Sequence, residues 1–344
     1  MLINKHDLNK KLFIIAELSA NHNHDFGTAV KTIKAAKEAR ADALKLQTYT
    51  ADTITLNCNN EHFQIKSGTL WDGKTLYDLY KEAYMPWEWQ PKLKQIAEEE
   101  GLICFSSPFD KTAVDFLEKM DVPAYKVASF EITDIPLIEY IASKGKPVII
   151  STGIATLADI EEAVMACRRV GNNAIALLKC TSSYPASIDE ANLLTIPHLR
   201  DTFKVIPGLS DHTMGSDVAI AAVALGAKII EKHFILDRKL GGPDAAFSME
   251  PEEFKQMVIS IRNVEKAIGT VNYQLSPKVE KNRIFARSLF IVNDVSAGEL
   301  ITEENVRSIR PGNGLHPKYY NQIIGKKFRK DYKTGTPLSW GLFE

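Results

Sequence analysis

Two histidines, His212 in GLSDHT and His233 in IIEKH, end the seventh and eighth of eight short apolar runs in this chain. On neighbouring strands of a closed barrel, two inward imidazoles come within reach of one divalent ion. A single histidine at a strand end is more often a hydrogen-bonded polar residue than a ligand; two on adjacent strands favour a metal. With only these two ligands evident, the ion would keep open positions for water and substrate oxygens, as a catalytic ion must. Asp211 or Glu231 could be a further ligand or an outer partner. Alternation puts Glu231 on the face of His233, where it is read as a structural or outer partner.

A cationic set accompanies the histidines. Lys45 in ALKLQT and Lys126 in AYKVAS lie inside apolar runs, where an ammonium is costly unless it faces a polar mouth and meets an anion. Hydroxyls at Ser106, Ser107, Ser129, Ser151, Thr152, Ser182 and Ser210 lie at run ends, and the glycines of STG and PGLS let backbone N–H groups approach closely. Each serine alone could be a strand-ending turn. Together with two lysines they describe a phosphoanion site. A Schiff-base role for Lys126 is the rival reading, and it would need a depressed pKa. Glu17, ending FIIAE, either pairs with a lysine or does acid–base work.

The elements that must position these residues follow from the spacing. Six of the eight runs, FIIAE, ALKLQT, AYKVAS, VIIST, VIPGLSDH and IIEKH, end in a phosphate-, carboxylate- or metal-binding residue, and LICFSS and AIALLKCTSSY end in hydroxyls. They alternate with helical patterns, including Val30, Ile33 and Ala36; Val114, Leu117 and Met120; Leu157, Ile160, Val164 and Cys167; and Phe254, Met257, Ile261, Val264 and Ile268. Pro251 suits the start of the last helix. The pattern is that of a (β/α)8 TIM barrel, which gathers its chemistry at the carboxyl ends of its strands. Residues 49–90, with Trp71, Trp87 and Trp89, form a long irregular stretch read as a lid or wall. The barrel is expected over residues 1–270, a linker over 271–284 and a small β-rich module over 285–344. In that module TEENV gives a weak capping-box signal.

Composition narrows the function. At 344 residues the chain exceeds the ~250 of a bare barrel. A net charge of −1 offers no bulk attraction to nucleic acid or anionic membrane, which points to a small-molecule partner. Cys58, Cys104, Cys167 and Cys180 are widely spaced and read as reduced thiols of a cytoplasmic protein. No signal peptide and no membrane span are expected.

FIIAELSANHN, ADALKLQTYT, CFSSPFD, YKVASFE, ISTGIAT, KCTSSYP, GLSDHT, IEKHFILDR, GPDAAFSM, ARSLFIVNDVSAGE and RPGNGLHP, in that order, resemble the sialic acid synthase family over essentially the whole chain. The C-terminal module resembles that family's antifreeze-like SAF domain. ELSANH and LKCTSSYP resemble the pseudaminic-acid-forming branch, with N-acetylneuraminate and legionaminate formation as near alternatives. A metal-dependent barrel aldolase or hydrolase is a more remote one, and a carbohydrate- or ice-binding module on an inactive barrel a non-catalytic one.

The resemblance implies condensation of phosphoenolpyruvate with an amino-sugar aldehyde, here 2,4-diacetamido-2,4,6-trideoxy-altrose, with phosphate lost by C–O cleavage. It places phosphoenolpyruvate on Lys45, Ser107, Lys126, Ser129, Ser151, Ser182 and Ser210. The neuraminate branch has asparagine where this chain has Ser182, so that contact is altered. It puts a divalent ion (Mn2+, Co2+ or Mg2+) on His212 and His233, and the sugar on Gln47, Glu131, Tyr184 and Asp244, with Asn21, His22 and Phe109 as weaker candidates. Glu17, Lys45, Lys126 and Arg310 are the implied catalytic residues. Arg310 would reach the partner's barrel in a domain-swapped homodimer; read from the residues alone it is an exposed turn arginine.

Overall fold

The computed structural model describes residues 1–66, 68 and 70–344. Two compact units appear, Met1–Gly269 and Thr270–Glu344. In the first, eight parallel strands follow one another in sequence order around a closed barrel: β1 (Phe13–Glu17), β2 (Ala43–Thr48), β3 (Ile103–Pro108), β4 (Tyr125–Val127), β5 (Val148–Ser151), β6 (Ile175–Cys180), β7 (Ile206–Asp211) and β8 (Ile229–His233). Pairing of β8 with β1 closes the cylinder. The strands are buried on both faces, which is why they read as continuous apolar runs. A short hairpin, Leu2–Ile3 with His6–Asp7, precedes them and adds Ile3 to the core around Phe13 and Phe105.

Eight helices follow the strands: α1 (Phe26–Glu38), α2 (Gln90–Glu99), α3 (Lys111–Lys119), α4 (Ile135–Ala142), α5 (Leu157–Arg169), α6 (Thr195–Phe203), α7 (Asp217–Ala224) and α8 (Pro251–Ile268). Their starts are chemically specified. Asp25, Asp110 and Asp134 accept hydrogen bonds from first-turn N–H groups of α1, α3 and α4. Thr156 and Asp159 form a capping box on α5, and Pro251 opens α8, where its missing N–H costs nothing.

The apolar stripes fall on the barrel side, with Ile33, Ala36, Val114, Leu117, Ile160, Val164, Cys167, Phe254, Met257 and Ile261 buried. Val30, Met120 and Val264 pack only at the edge of the core. Leu157 and Ile268, at the ends of α5 and α8, are exposed instead, because the terminal turns are not backed by strands.

Between β2 and α2 the chain forms two short helices, Ala51–Ile54 and Leu76–Ala83, each begun by a threonine cap. A 3-10 turn at Trp87–Trp89 leads into α2. Trp87 donates to the Tyr49 carbonyl at 3.1 Å and stacks on Phe116, while Trp89 packs on Phe26 and His22. These two tryptophans brace the barrel. Of the three in the stretch read as a lid, only Trp71 faces the site.

The second unit holds an antiparallel pair, β9 (Ser288–Ile291) and β10 (Val306–Ile309), over a small core that includes Leu289, Ile291, Val306, Ile323 and Phe328. The stretch read as a linker carries a short helix, Pro277–Lys281, capped by Ser276. No helix begins at TEENV. There the side-chain Oδ1 of Asn305 accepts from the Thr302 N–H at 2.9 Å and closes a turn ahead of β10. All four cysteines are free thiols. Among the described residues no helix is long and apolar enough to cross a membrane.

Candidate active site

Strand register sets the floor of the site. His233 lies opposite Glu17 across β8 and β1, and Glu17 opposite Lys45 across β1 and β2, so three functional side chains share one level of the barrel. The Lys45 ammonium lies 3.0 Å from Glu17 Oε2 and 2.9 Å from Glu231 Oε1. Lys126 Nζ is 3.7 Å from the same Glu231 oxygen and donates to Ser151 Oγ at 2.7 Å. Ser210 Oγ donates to Glu231 Oε1 at 2.9 Å. Glu231, read from the sequence as an outer partner, therefore stands at the centre of the cluster, between both lysines. Its second oxygen, Oε2, is buried with no hydrogen-bond partner.

These charges hold one another ionised. Burial alone would push Glu17 and Glu231 up, but Lys45 and His233 bring Glu17 well below the usual carboxylate range, and Lys126 and Lys45 lower Glu231. Burial would likewise lower both lysines; Glu17 and Glu231 overcome it at Lys45, whose pKa is raised. Lys126, with a more distant carboxylate and Lys45 nearby, ends below its ordinary value.

The imidazoles of His212 and His233 lie beside this floor, ring centres 5.3 Å apart. Paired with the Thr181 carbonyl at 3.0 Å, His212 Nδ1 carries the proton, and Nε2 is left as the basic nitrogen. His233 Nε2 is 3.4 Å from Glu17 Oε2, and its Nδ1 is 3.7 Å from Asp244 Oδ2, buried with no hydrogen-bond partner. Burial pushes the His233 pKa down, keeping the neutral, ligating form. An orphaned buried nitrogen among carboxylates fits a cation shared by two imidazoles. Among the described residues no group of three or more His, Cys, Asp or Glu side chains is arranged to hold a metal ion.

Above the floor a cavity of about 940 Å³, counting its open mouth, takes in most of the residues expected at the site. Gln47 donates to Glu17 Oε1 at 2.8 Å and to Ser19 Oγ at 2.9 Å, and Ser19 donates to Asp244. Tyr184 packs between Trp71, His212 and Phe247. Glu131 lines the wall with Oε2 buried and unpartnered, and burial pushes its carboxyl up to about 7. Phe109 lines the cavity against Tyr49.

Other expected residues lie outside the cavity lining. Ser129 lines the cavity, whereas Ser182 is half-buried and does not line it, its Oγ 2.7 Å from that of Ser129. Ser107 is buried without a partner and does not line the cavity. Ser106 pairs with Thr48, and Thr152 donates to the Leu178 carbonyl, so both hydroxyls serve the strand ends. Asn21 donates to the Phe234 carbonyl and Ser248, and His22 accepts from the His24 N–H; both brace the loop after β1. Arg310 follows β10 in the second unit and is exposed.

Sequence reasoning did not single out Tyr49, Tyr80, Cys180 or Phe247, which also line the cavity. Alternation along IIEKH was the available signal for Glu231, and aromatic density for the insertion.

A model of the NeuB family matches residues 32–273, and one of the SAF domain matches residues 286–344. The chain is 48% identical to a pseudaminic acid synthase of Campylobacter jejuni subsp. jejuni serotype O:2 over 100% of both chains. It is 50% identical to a pseudaminic acid synthase of Helicobacter pylori, over 95% of this chain and 96% of the other. Among solved structures, the N-acetylneuraminic acid (sialic acid) synthetase of Leptospira borgpetersenii serovar Hardjo-bovis in complex with citrate superposes with a TM-score of 0.73. The two are 31% identical, over 82% of this chain and 94% of that one.

Proposed function

The chain belongs to the NeuB family, and from that premise we propose that it is a pseudaminic acid synthase, condensing phosphoenolpyruvate with 2,4-diacetamido-2,4,6-trideoxy-altrose. The observation that carries the chemistry is the pairing of two buried lysines, Lys45 and Lys126, with two buried imidazoles at one barrel mouth. Whole-length similarity to relatives named for pseudaminic acid carries the branch.

Phosphoenolpyruvate brings a carboxylate and a phosphate to a floor whose donors are Lys45, Lys126, Ser151 and Ser210, with Lys45, Lys126 and Ser210 shared with the carboxylates of Glu17 and Glu231, and Ser129 at the rim. Ser107 and Ser182 do not line the cavity and would support the cradle rather than touch the ligand. Gln47, Glu131, Tyr184 and Asp244 surround the space left for the sugar. A divalent cation, Mn2+, Co2+ or Mg2+, would be held by His212 and His233 and would supply Lewis-acid polarisation of the sugar aldehyde.

In the reaction, C3 of phosphoenolpyruvate forms the new bond to the aldehyde carbon, whose oxygen takes up a proton to become a hydroxyl. The resulting cationic C2 accepts water, which loses a proton. The C2–O bond to phosphate then breaks, the C2 hydroxyl gives up its proton to become the keto group, and inorganic phosphate leaves. Glu17, kept ionised beside Lys45, is placed to stabilise the cationic C2 or to take the proton from water.

The proposal extends to a domain-swapped homodimer in which Arg310 reaches the sugar in the partner's barrel. Val271 and Tyr273 are more than nine-tenths exposed, apolar surface that a second copy would cover. The four free thiols suit a reducing, cytoplasmic setting.

The test is an activity panel with phosphoenolpyruvate and three sugars: N-acetylmannosamine, 2,4-diacetamido-2,4,6-trideoxymannose and 2,4-diacetamido-2,4,6-trideoxy-altrose. Phosphate release should be fastest with the altrose sugar. Bridging-oxygen-labelled phosphoenolpyruvate should deliver its label to inorganic phosphate. Preference for either of the other sugars would reassign the branch, and label kept in the sugar product would reject C–O cleavage.

A further inference from the structure

Topology divides the mouth of the barrel. The imidazoles stand over β7 and β8, and the phosphoanion floor spreads over β2, β4, β5 and β7. Over the ends of β2 and β3, across the mouth from the histidines, the lining changes character. Tyr49 and Phe109, the residues that follow β2 and β3, meet ring to ring at 5.0 Å, and the two insertion helices add Ile54, Leu79, Tyr80 and Ala83. Leu79 is 8% exposed, the one buried residue of its helix, and lines the cavity. Ile54, Leu79 and Ala83 offer no hydrogen-bonding side chain, so a hydroxyl set against these three finds no partner among them, and the polar groups on this side are the Tyr49 and Tyr80 phenols and the Glu131 carboxyl.

We infer that Ile54, Leu79 and Ala83 form a methyl-recognising wall that selects 6-deoxy sugars. The inference rests on the function proposed above and deepens it. A sugar whose aldehyde lies at the imidazoles extends across the mouth, so its far end, C6, arrives at the β2–β3 side. In a 6-deoxy sugar that end is a methyl group. A 6-hydroxyl placed there would lose its hydrogen bonds to water and find none in return. Glu131 borders this side, where burial first and then the Glu131 carboxyl raise the Tyr80 phenol pKa, and it provides a polar group for an amide or hydroxyl next to the apolar patch.

The experiment compares kcat/KM for 2,4-diacetamido-2,4,6-trideoxy-altrose with that for its 6-hydroxy counterpart, in the parent chain and in Ile54→Thr, Leu79→Asn, Leu79→Met and Ala83→Ser. One methyl against one hydroxyl in an apolar pocket is worth about 10–200-fold, and the parent should prefer the 6-deoxy sugar by that order. Leu79→Asn and Ile54→Thr should cut the ratio about tenfold with the KM for phosphoenolpyruvate unchanged, and Leu79→Met should restore it. Thermal melts establish folding, and Ala83→Ser, at a partly exposed helix end, carries the test if Leu79→Asn does not fold. An unchanged ratio in the folded polar variants, or a parent indifferent to the 6-hydroxyl, would overturn the wall and leave the synthase reading standing. Absence of any phosphate release with phosphoenolpyruvate and amino sugars would overturn the synthase reading and the wall with it.

Discussion

Glu131 and Glu17 are both withdrawn from bulk water at the same mouth, yet their carboxyls titrate in opposite directions. Glu17 has Lys45 at 3.0 Å and stays ionised. Glu131 forms no ion pair among the described residues, and burial pushes it up to about 7 against the opposing pull of Lys126. The linkage has a definite sign. With a folded pKa above the unfolded value near 4.5, the folded chain binds more protons than the unfolded chain between those pH values, so stability falls as pH rises from about 4.5 to about 7. Glu131→Gln removes this contribution. The melting temperature of the variant relative to the parent should therefore climb steadily from pH 5 to pH 8 in the absence of substrates; a difference independent of pH would show that Glu131 is an ordinary exposed carboxylate. The same half-protonated group, near neutrality, can donate to or accept from a sugar substituent, which suits recognition rather than charge neutralisation.

At the scale of the element, the ends of β7 and β8 are tied by an ion pair that touches no cavity. Asp211 and Lys232 are register partners, one residue before each imidazole. Lys232 Nζ lies 2.7 Å from Asp211 Oδ2 and donates to the Thr213 carbonyl at 2.6 Å, and Asp211 Oδ1 accepts from the Thr213 N–H and hydroxyl. Such a pair adds little net stability over an apolar one, but breaking it strands a buried charge. Lys232→Met should cost about 3–5 kcal/mol in denaturant unfolding, and Asp211→Leu/Lys232→Met should recover most of that loss. A single variant as stable as the parent would mean that the pair is solvated in solution.

Strand ends of this kind are legible because a parallel barrel strand is a continuous apolar run that stops at a polar residue, as FIIAE, ending in Glu17, shows. Depth was harder to read. Glu231 alternates with His233, but sequence could not say that Lys45 and Lys126 both turn toward it. Trp87 and Trp89 looked like site aromatics and instead brace the insertion, because composition does not reveal which face of a loop packs inward. Ser107 and Ser182 do not line the cavity, and a hydroxyl at a strand end reads alike whether it faces the cavity or packs beside it.

For the whole molecule, the proposal to test is that Arg310, exposed on the second unit, acts in a partner's barrel. Arg310 follows β10, outside the barrel unit that supplies every residue lining the cavity. If it acts in the partner's barrel, the two defects Glu17→Gln and Arg310→Ala complement each other. Each homodimer alone should be nearly silent, the first for want of its carboxylate and the second for want of the guanidinium, with folding intact in both by thermal melt. When the two chains are mixed, dissociated and reassembled, half of the dimers are mixed. In each mixed dimer one site joins an intact barrel to an intact Arg310, so activity should recover to about a quarter of the parent value. Were the arginine to serve its own barrel, every site would keep one lesion and mixing would restore nothing. Size-exclusion chromatography of the parent adds an independent readout: a monomer at assay concentration with full activity would exclude the cross-subunit arrangement whatever the mixing result.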